Sequence, residues 1–311
     1  MKSLTLTDPY GRPIKSLRIS LTQKCNLDCF FCHQEGEHSP GGEMAPEEVS
    51  KIVETASKLG IRKVKLTGGE PLLRPDILEI VEGIRPHVEE VSMTTNGVLL
   101  AEAARPLKES GLDRVNVSLH SLSPQGFQRI TGSNALEKVL QGIEEATAQG
   151  LTPVKINTVV MKGVNDNRVE DLIEFSRKAG AVLQLIEFQA LERGEGLAGS
   201  LYYDLAPLEK RLQERSTRVV ERPLHRRRIY HLEGGARVEV VRPMHNTEFC
   251  MNCTRIRLTS DGKLKPCLMR NDNLVPVVEL VRRGAEEWEL VEAFKRCVAL
   301  REPYWVVRDE G

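Results

Sequence analysis

The sequence predicts an α/β fold built on a parallel sheet, and two observations carry that prediction. Over the first two thirds of the chain, six short apolar runs alternate with five amphipathic helical stretches. Four of those helical stretches end at a glycine, namely Gly60, Gly111, Gly150 and Gly180, the residue that most readily terminates a helix. Right-handed crossovers between such strands can build either an open doubly wound sheet or a curved partial barrel, and periodicity does not choose between them. In both, the loops after the strands' C-terminal ends meet on one face, where the active sites of these folds lie.

The elements follow in order. Residues 17–22 read as a short buried strand. Residues 46–59 read as a helix, with Val49, Ile52, Val53, Ala56 and Leu59 at helical spacing and Pro46 in its first turn. Strand 63–66 precedes helix 76–84, strand 91–95 precedes helix 101–110, and strand 114–119 precedes helix 134–149. Strand 154–161, helix 167–179 and strand 182–188 complete the alternation. After about residue 200 the pattern changes to an amphipathic helix at 205–215 and a hairpin of 227–232 with 237–241 around Gly234 and Gly235. A second hairpin, 255–259 with 263–268, turns at Asp261 and Gly262, and helix 286–300 precedes Pro303. This divides the chain into residues 1–200 and a smaller α+β unit, 201–311.

Composition removes several function classes. The 311 residues carry 44 basic and 44 acidic side chains, a formal net charge of zero, which argues against a generally basic binder of polymeric nucleic acid. The balance is an average, because residues 222–267 hold ten Lys or Arg against four Asp or Glu. Without an 18-residue apolar run or an apolar core in the first ten residues, neither a membrane span nor a secretory signal is expected, and the location expected is the cytoplasm. Seven cysteines, an odd number in a chain too long to need staples, point to metal binding or catalysis under reducing conditions.

Cys25, Cys29 and Cys32 form C-x3-C-x2-C in the loop after the first strand. Four-iron clusters ordinarily take four cysteines, so a set of three leaves one iron open to a small molecule. The same logic separates catalytic from structural zinc sites. A zinc site completed by His33, or buried thiols, are the alternatives. Cys250, Cys253 and Cys267 form C-x2-C-x13-C around the second hairpin. That spacing suits a zinc ribbon with His245 as fourth ligand or, beside the first triplet, an auxiliary iron–sulfur cluster. Cys297 is left over, on a helix where a buried thiol is expected.

The run Cys25-Asn-Leu-Asp-Cys29-Phe-Phe-Cys32, with Thr67-Gly68-Gly69-Glu70-Pro71 after the next strand, resembles the radical S-adenosylmethionine (SAM) superfamily. That resemblance implies a partial (β/α) barrel of about six parallel strands. It also implies a [4Fe-4S] cluster on Cys25, Cys29 and Cys32, and SAM contacts at Phe31, Gly69 and Ser118. Over nearly its whole length the chain is further similar to the GTP 3′,8-cyclase (molybdenum cofactor biosynthesis protein A) family. Matching segments include Asp8-Pro-Tyr-Gly-Arg12, Leu17-Arg18-Ile-Ser20 and Thr94-Thr95-Asn96-Gly97; the most specific is Cys250-x-x-Cys253-Thr254-Arg255-Ile256-Arg257 followed by Cys267.

The second resemblance implies a second [4Fe-4S] cluster on Cys250, Cys253 and Cys267. It implies contacts to GTP from Arg18, Lys65, Thr94, Lys155, Arg255, Ile256 and Arg257. Alternate residues of a strand share a face, so Arg255 and Arg257 can reach one cavity, and guanidinium forks suit phosphate oxygens. In the implied reaction a 5′-deoxyadenosyl radical abstracts the ribose 3′ hydrogen of GTP. The C3′ radical then attacks guanine C8, and an electron and a proton complete (8S)-3′,8-cyclo-7,8-dihydroguanosine 5′-triphosphate, the first step of molybdenum cofactor biosynthesis. The implied partners are a reducing electron donor, a downstream cyclic pyranopterin monophosphate synthase and a second copy of the chain in a homodimer. No catalytic side chain is assigned.

The family pattern is departed from at His120, which stands for an acidic residue, and at Gln184 and Gln189, which stand for arginine and methionine. Lys65 stands where many relatives have arginine, and Asp309-Glu310-Gly311 stands in place of a bacterial-type Gly-Gly tail. Two other classes compete: a radical SAM enzyme acting on a peptide or haem precursor, and a non-catalytic two-metal electron carrier or zinc-ribbon module. The paired arginines favour a nucleotide over the first. Gly68-Gly69-Glu70 on a βα scaffold disfavours the second.

Overall fold

The structure, a computed structural model, describes residues 5–37, 42–244 and 246–304, without the side chains of residues 192, 195 and 198. His245 and the 309–311 segment singled out in the sequence lie outside the described residues. The barrel half runs β1 (Ser16–Ser20), α1 (Pro46–Lys58), β2 (Lys63–Thr67), α2 (Ile77–Ile84), β3 (Glu90–Thr95), α3 (Leu100–Glu109) and β4 (Arg114–Ser118). It continues through α4 (Pro124–Thr131), α5 (Leu136–Ala148), β5 (Lys155–Val160), α6 (Val169–Lys178) and β6 (Val182–Glu187).

These six strands pair in parallel and in sequence order, β1-β2-β3-β4-β5-β6, with no reversal. A doubly wound sheet would reverse direction at a switch point. Steady progression through right-handed crossovers instead puts all the helices on one face and leaves the other to curve inward. The strands divide accordingly: Leu17, Ile19, Val64, Leu66, Val115 and Val117 enter the core, while Arg18, Lys65 and Asn116 alternate with them. Helix α4 was not expected from the sequence, because in eight residues it offers only Phe127 and Ile130 as large apolar side chains. Its ends are nonetheless well specified. Ser123 caps its start by accepting from Gly126 N at 3.0 Å, and Gly132 ends it with φ at +71°.

The remainder runs α7 (Ala198–Leu201), α8 (Ala206–Glu214), β7 (Ser216–Glu221), β8 (Arg228–Leu232), β9 (Arg237–Val241), α9 (Thr247–Met251), β10 (Arg255–Leu258), β11 (Lys263–Lys265), β12 (Val275–Pro276), α10 (Val278–Arg282) and α11 (Glu287–Ala299). Both expected hairpins form. Their strands do not make a separate sheet; they extend the barrel sheet at both edges. Strand β9 runs parallel to β6, followed outward by β8 and β7, while β10 runs parallel to β1, followed by β11 and β12. Strand β7 escaped the sequence reading because it is an edge strand, largely exposed and without apolar alternation. Cys297 is fully buried on α11, and no helix among the described residues is long and apolar enough to cross a membrane.

Candidate active site

The concave face of the sheet encloses a cavity of about 410 Å³. All six triplet cysteines line it, together with Phe31, Gly69, Ser118, Arg18, Lys65, Thr94, Lys155, Arg255 and Arg257. Ile256 does not. The period-two alternation of β10 turns Arg255 and Arg257 toward the cavity and the Ile256 side chain into the core, where it is fully buried, which leaves its backbone for a substrate contact.

Strand pairing sets the electrostatics of this wall. Arg257 of β10 is in register with Arg18 of β1, and Arg18 with Lys65 of β2, so three cations stand side by side on one rung. Parallel neighbours lie about 4.8 Å apart, and like charges so placed repel. Glu35 offsets part of this. One carboxylate oxygen accepts from Arg18 Nη2 at 2.7 Å and from Thr67 Oγ1 at 3.0 Å, the other from Arg257 Nη1 at 2.9 Å. Burial pushes the Glu35 carboxyl up, but Arg18, Arg257 and His33 outweigh it and hold it at about 2.

A second carboxylate does the same on the opposite side. Glu239, fully buried in β9, pairs with Lys155, with Arg222 at 3.1 Å and with Arg227 at 3.3 Å. Burial raises its pKa, and Arg227, Lys155 and Arg222 lower it further, to about 2. Between the two carboxylates, Lys65 and Arg255 have no Asp or Glu partner among the described residues. Lys65 donates only to Asn116 Oδ1, at 3.0 Å. Burial, then Arg114 and Arg18, drives its pKa well below the ordinary lysine value; burial with Arg18 and Arg257 brings Arg255 to about 9. Eleven Lys or Arg line the cavity against three glutamates.

The first triplet occupies the mouth of β1. Burial pushes the thiols of Cys25 and Cys32 up, and burial with the other two sulfurs brings Cys29 to about 12. Three crowded thiols of this kind are ionised by a bound metal centre and not by water. No three His, Cys, Asp or Glu side chains among the described residues converge to hold a single metal ion. His33, the alternative zinc ligand, already uses Nδ1 to accept from Glu35 N at 3.0 Å.

Gly68 and Gly69 run against the backbone leading into Cys25. Gly69 N donates to Thr22 O at 2.7 Å, and a Cβ on Gly69 would lie 2.2 Å from Lys24 O. Glu70 fixes this loop by accepting from Leu72 N, Thr95 Oγ1 and Asn96 N at 3.0, 2.8 and 2.6 Å. Phe31 meets His120 edge to face at 4.9 Å between centroids; burial holds His120 neutral, with its pKa at about 4.

At the second triplet, His225 stacks on Phe249 with centroids 3.7 Å apart and planes 16° from parallel. Burial and the arginines around it, Arg255 first, keep His225 well below its ordinary pKa, and its Nδ1 is buried without a partner. Sequence spacing and motifs do not reveal Glu35, Glu239, Arg222, Arg227 or His225 as site residues. Of these, Glu239 carried a usable signal, a carboxylate within the apolar strand Arg237–Val241.

The sequence pattern of the radical SAM superfamily matches residues 19–176, and that of Molybdenum Cofactor Synthesis C matches residues 181–307. The chain is 54% identical over 306 residues to a probable GTP 3′,8-cyclase of Thermococcus kodakarensis, spanning 96% of this chain and 99% of that one. A probable GTP 3′,8-cyclase of Methanocaldococcus jannaschii is 46% identical, spanning 97% and 100%. Among solved structures, Streptococcus suis SuiB bound to its precursor peptide matches with a TM-score of 0.68 at 17% identity, over 94% of this chain and 67% of that one. Native anSMEcpe with bound AdoMet matches at 0.62 and 20% identity, over 90% and 81%. At such identities these two likenesses show the fold alone.

Proposed function

The chain belongs to the radical SAM superfamily, within the family of the archaeal probable GTP 3′,8-cyclases, and from that premise we propose that it is a GTP 3′,8-cyclase. The observation that carries the substrate is the Arg257–Arg18–Lys65 rung. Three adjacent cations with one carboxylate between them, and Lys65 and Arg255 with none, form a site short of negative charge that a triphosphate completes.

Radical SAM membership brings a [4Fe-4S] cluster and SAM, and Cys25, Cys29 and Cys32 would hold that cluster, with the Gly68-Gly69 loop and Ser118 beside the SAM. A second cluster on Cys250, Cys253 and Cys267 belongs to the same proposal, supported by the position of all three on the cavity wall. When bound, the first cluster and SAM would supply the radical chemistry that opens the ribose 3′ position of GTP to bonding with guanine C8, with an electron and a proton from the reducing donor and solvent completing the product.

The side chains of the chain itself bind and orient. Arg18, Arg257, Arg255 and Lys65 take phosphate oxygens, and Lys155 with Arg222 and Arg227 extends the basic wall toward β9. Glu35 and Glu239 hold all of those cations except Lys65 and Arg255 in place before substrate arrives, so little reorganisation of them accompanies binding. Phe31 and His120 wall the adenine side, and the flat His225–Phe249 stack offers a surface for the purine beside the second triplet. Holding the two ends of GTP fixes C3′ relative to C8, the orientation on which a ring closure depends. Division at residues 1–200 and 201–311, a reducing electron donor, a downstream synthase, a homodimer and a cytoplasmic location complete the proposal.

The test is an anaerobic assay with SAM, a strong reductant and a panel of nucleoside triphosphates. 5′-Deoxyadenosine formation should depend on GTP and yield a cyclised guanosine product; SAM cleavage indifferent to GTP rejects the assignment. Metal analysis of the reconstituted protein gives a second readout, since zinc at the second triplet would end the two-cluster reading.

A further inference from the structure

Of the segment Asp8-Pro-Tyr-Gly-Arg12 only Arg12 lines the cavity, and the segment is held by a dense set of hydrogen bonds. Residues 8–11 form a turn closed by Gly11 N donating to Asp8 O at 3.0 Å, with Gly11 at φ +79°. The Asp8 carboxylate is wholly buried and takes four donors: Tyr10 N at 3.0 Å, Arg12 N at 2.9 Å, Arg12 Nε at 2.6 Å and Arg301 Nη1 at 2.8 Å. Asp8 thus aligns two arginines from opposite ends of the chain, both nearly inaccessible to solvent.

Their remaining donors go to the second triplet. Arg12 Nη1 donates to Cys250 O at 2.8 Å, and Arg301 Nη2 donates to Cys253 O at 2.8 Å. Arg12 also holds the returning chain through Pro303 O at 2.8 Å and Glu302 O. The next carbonyl, that of Thr254, accepts from Lys15 N and Ser16 N at 2.9 and 3.2 Å at the start of β1. The backbone on which two of the three thiols hang is therefore fixed by buried side chains that bond its carbonyls, although Arg12 and Arg301 also line the cavity.

We propose that Asp8, Arg12 and Arg301 are positioning residues for the second metal centre. They set the peptide geometry at Cys250 and Cys253, and they place one net positive charge, two guanidiniums less one carboxylate, behind its ligands. The proposal rests on the reading that Cys250, Cys253 and Cys267 hold metal. Outer partners that orient metal ligands govern affinity by factors of about 10 to 100, and charge near an iron–sulfur cluster raises its potential.

The test uses the full chain, reconstituted anaerobically, with Arg301→Gln, Arg301→Lys and Asp8→Asn. Iron release to a chelator is followed at both sites, the first identified by its spectral response to added SAM. Arg301→Gln and Asp8→Asn should speed release of about four of the roughly eight irons at least ~10-fold and leave the SAM-responsive set unchanged. In Arg301→Gln the midpoint potential of the second centre should also fall. Arg301→Lys keeps the charge but not the fork, so it should restore the potential and not the retention. Equal acceleration at both sites, or loss of the fold, would mean that the unit braces the whole chain, and overturns the proposal; so does unchanged release. If the second triplet of the unsubstituted protein proves to hold zinc, the two-cluster reading fails, while the same selectivity test runs on zinc release.

Discussion

Lys65→Met separates the stability of the site from its affinity. In the absence of nucleotide, Lys65 has no carboxylate partner on a wall of cations, and its hydrogen bond is to Asn116 Oδ1 at 3.0 Å. Removing it does not orphan Asn116, whose Oδ1 also accepts from Arg114 Nη1 at 3.2 Å. The substitution forfeits a charged hydrogen bond worth ~1.5–3 kcal/mol and relieves a buried charge whose effective penalty is several kcal/mol. The nucleotide-free variant should gain ~1–3 kcal/mol, a rise of several degrees in melting temperature.

The sign follows from the depressed pKa of Lys65. Its penalty is complete below the folded pKa and fades as pH rises toward 10.5, where the unfolded lysine also loses its proton. The advantage of the variant should shrink in the same direction. GTP, in contrast, loses a phosphate contact of about 1.5–3 kcal/mol, a weakening of roughly 10- to 150-fold. Anaerobic calorimetric melting with and without GTP, beside a nucleotide titration, reads both effects. A variant that melts lower without nucleotide, or binds GTP as the parent does, refutes the reasoning.

Three further outcomes follow from the same geometry. Glu239→Gln should cost about 3 kcal/mol at neutral pH, from a carboxyl lowered to about 2. That stabilisation is present above the ordinary carboxyl pKa and lost as pH falls toward 2, so denaturant titrations of parent and variant should converge in acid. Arg257→Ala should weaken GTP binding roughly 10- to 100-fold with iron content unchanged, since Glu35 keeps Arg18 as partner; equal affinity in a binding titration counts against the clamp. Gly69→Ala drives a Cβ to 2.2 Å from Lys24 O, so SAM binding by equilibrium dialysis and first-site iron should both fall while second-site iron persists.

The parts of the fold and site that could be read in the sequence were those that depend on local spacing. Alternating strands and helices gave the six-stranded core, and C-x3-C-x2-C and C-x2-C-x13-C gave the two triplets. The parts that could not be read depend on register between distant strands. Nothing in the sequence says that β10 lies against β1, and so that Arg257 stands beside Arg18. Glu35 belongs to a loop without periodicity, where Gln34 and Glu35 both adopt positive φ.

The pairing of β10 with β1 also explains why the site is only partly neutralised. Three like charges on adjacent strands oppose folding, and a carboxylate for every cation would remove that cost. It would also remove the affinity, because an entering triphosphate would have to displace each carboxylate. One glutamate shared by Arg18 and Arg257, and one by Lys155, Arg222 and Arg227, fixes the geometry of five cations with two anions. Lys65 and Arg255 stay unpaired between them. The positive charge left over is stored in the folded protein at the expense of its stability and released when an anion binds. A site built this way is poised for a polyanion and not for a neutral peptide, so the strain in the nucleotide-free enzyme and the choice of substrate have the same origin.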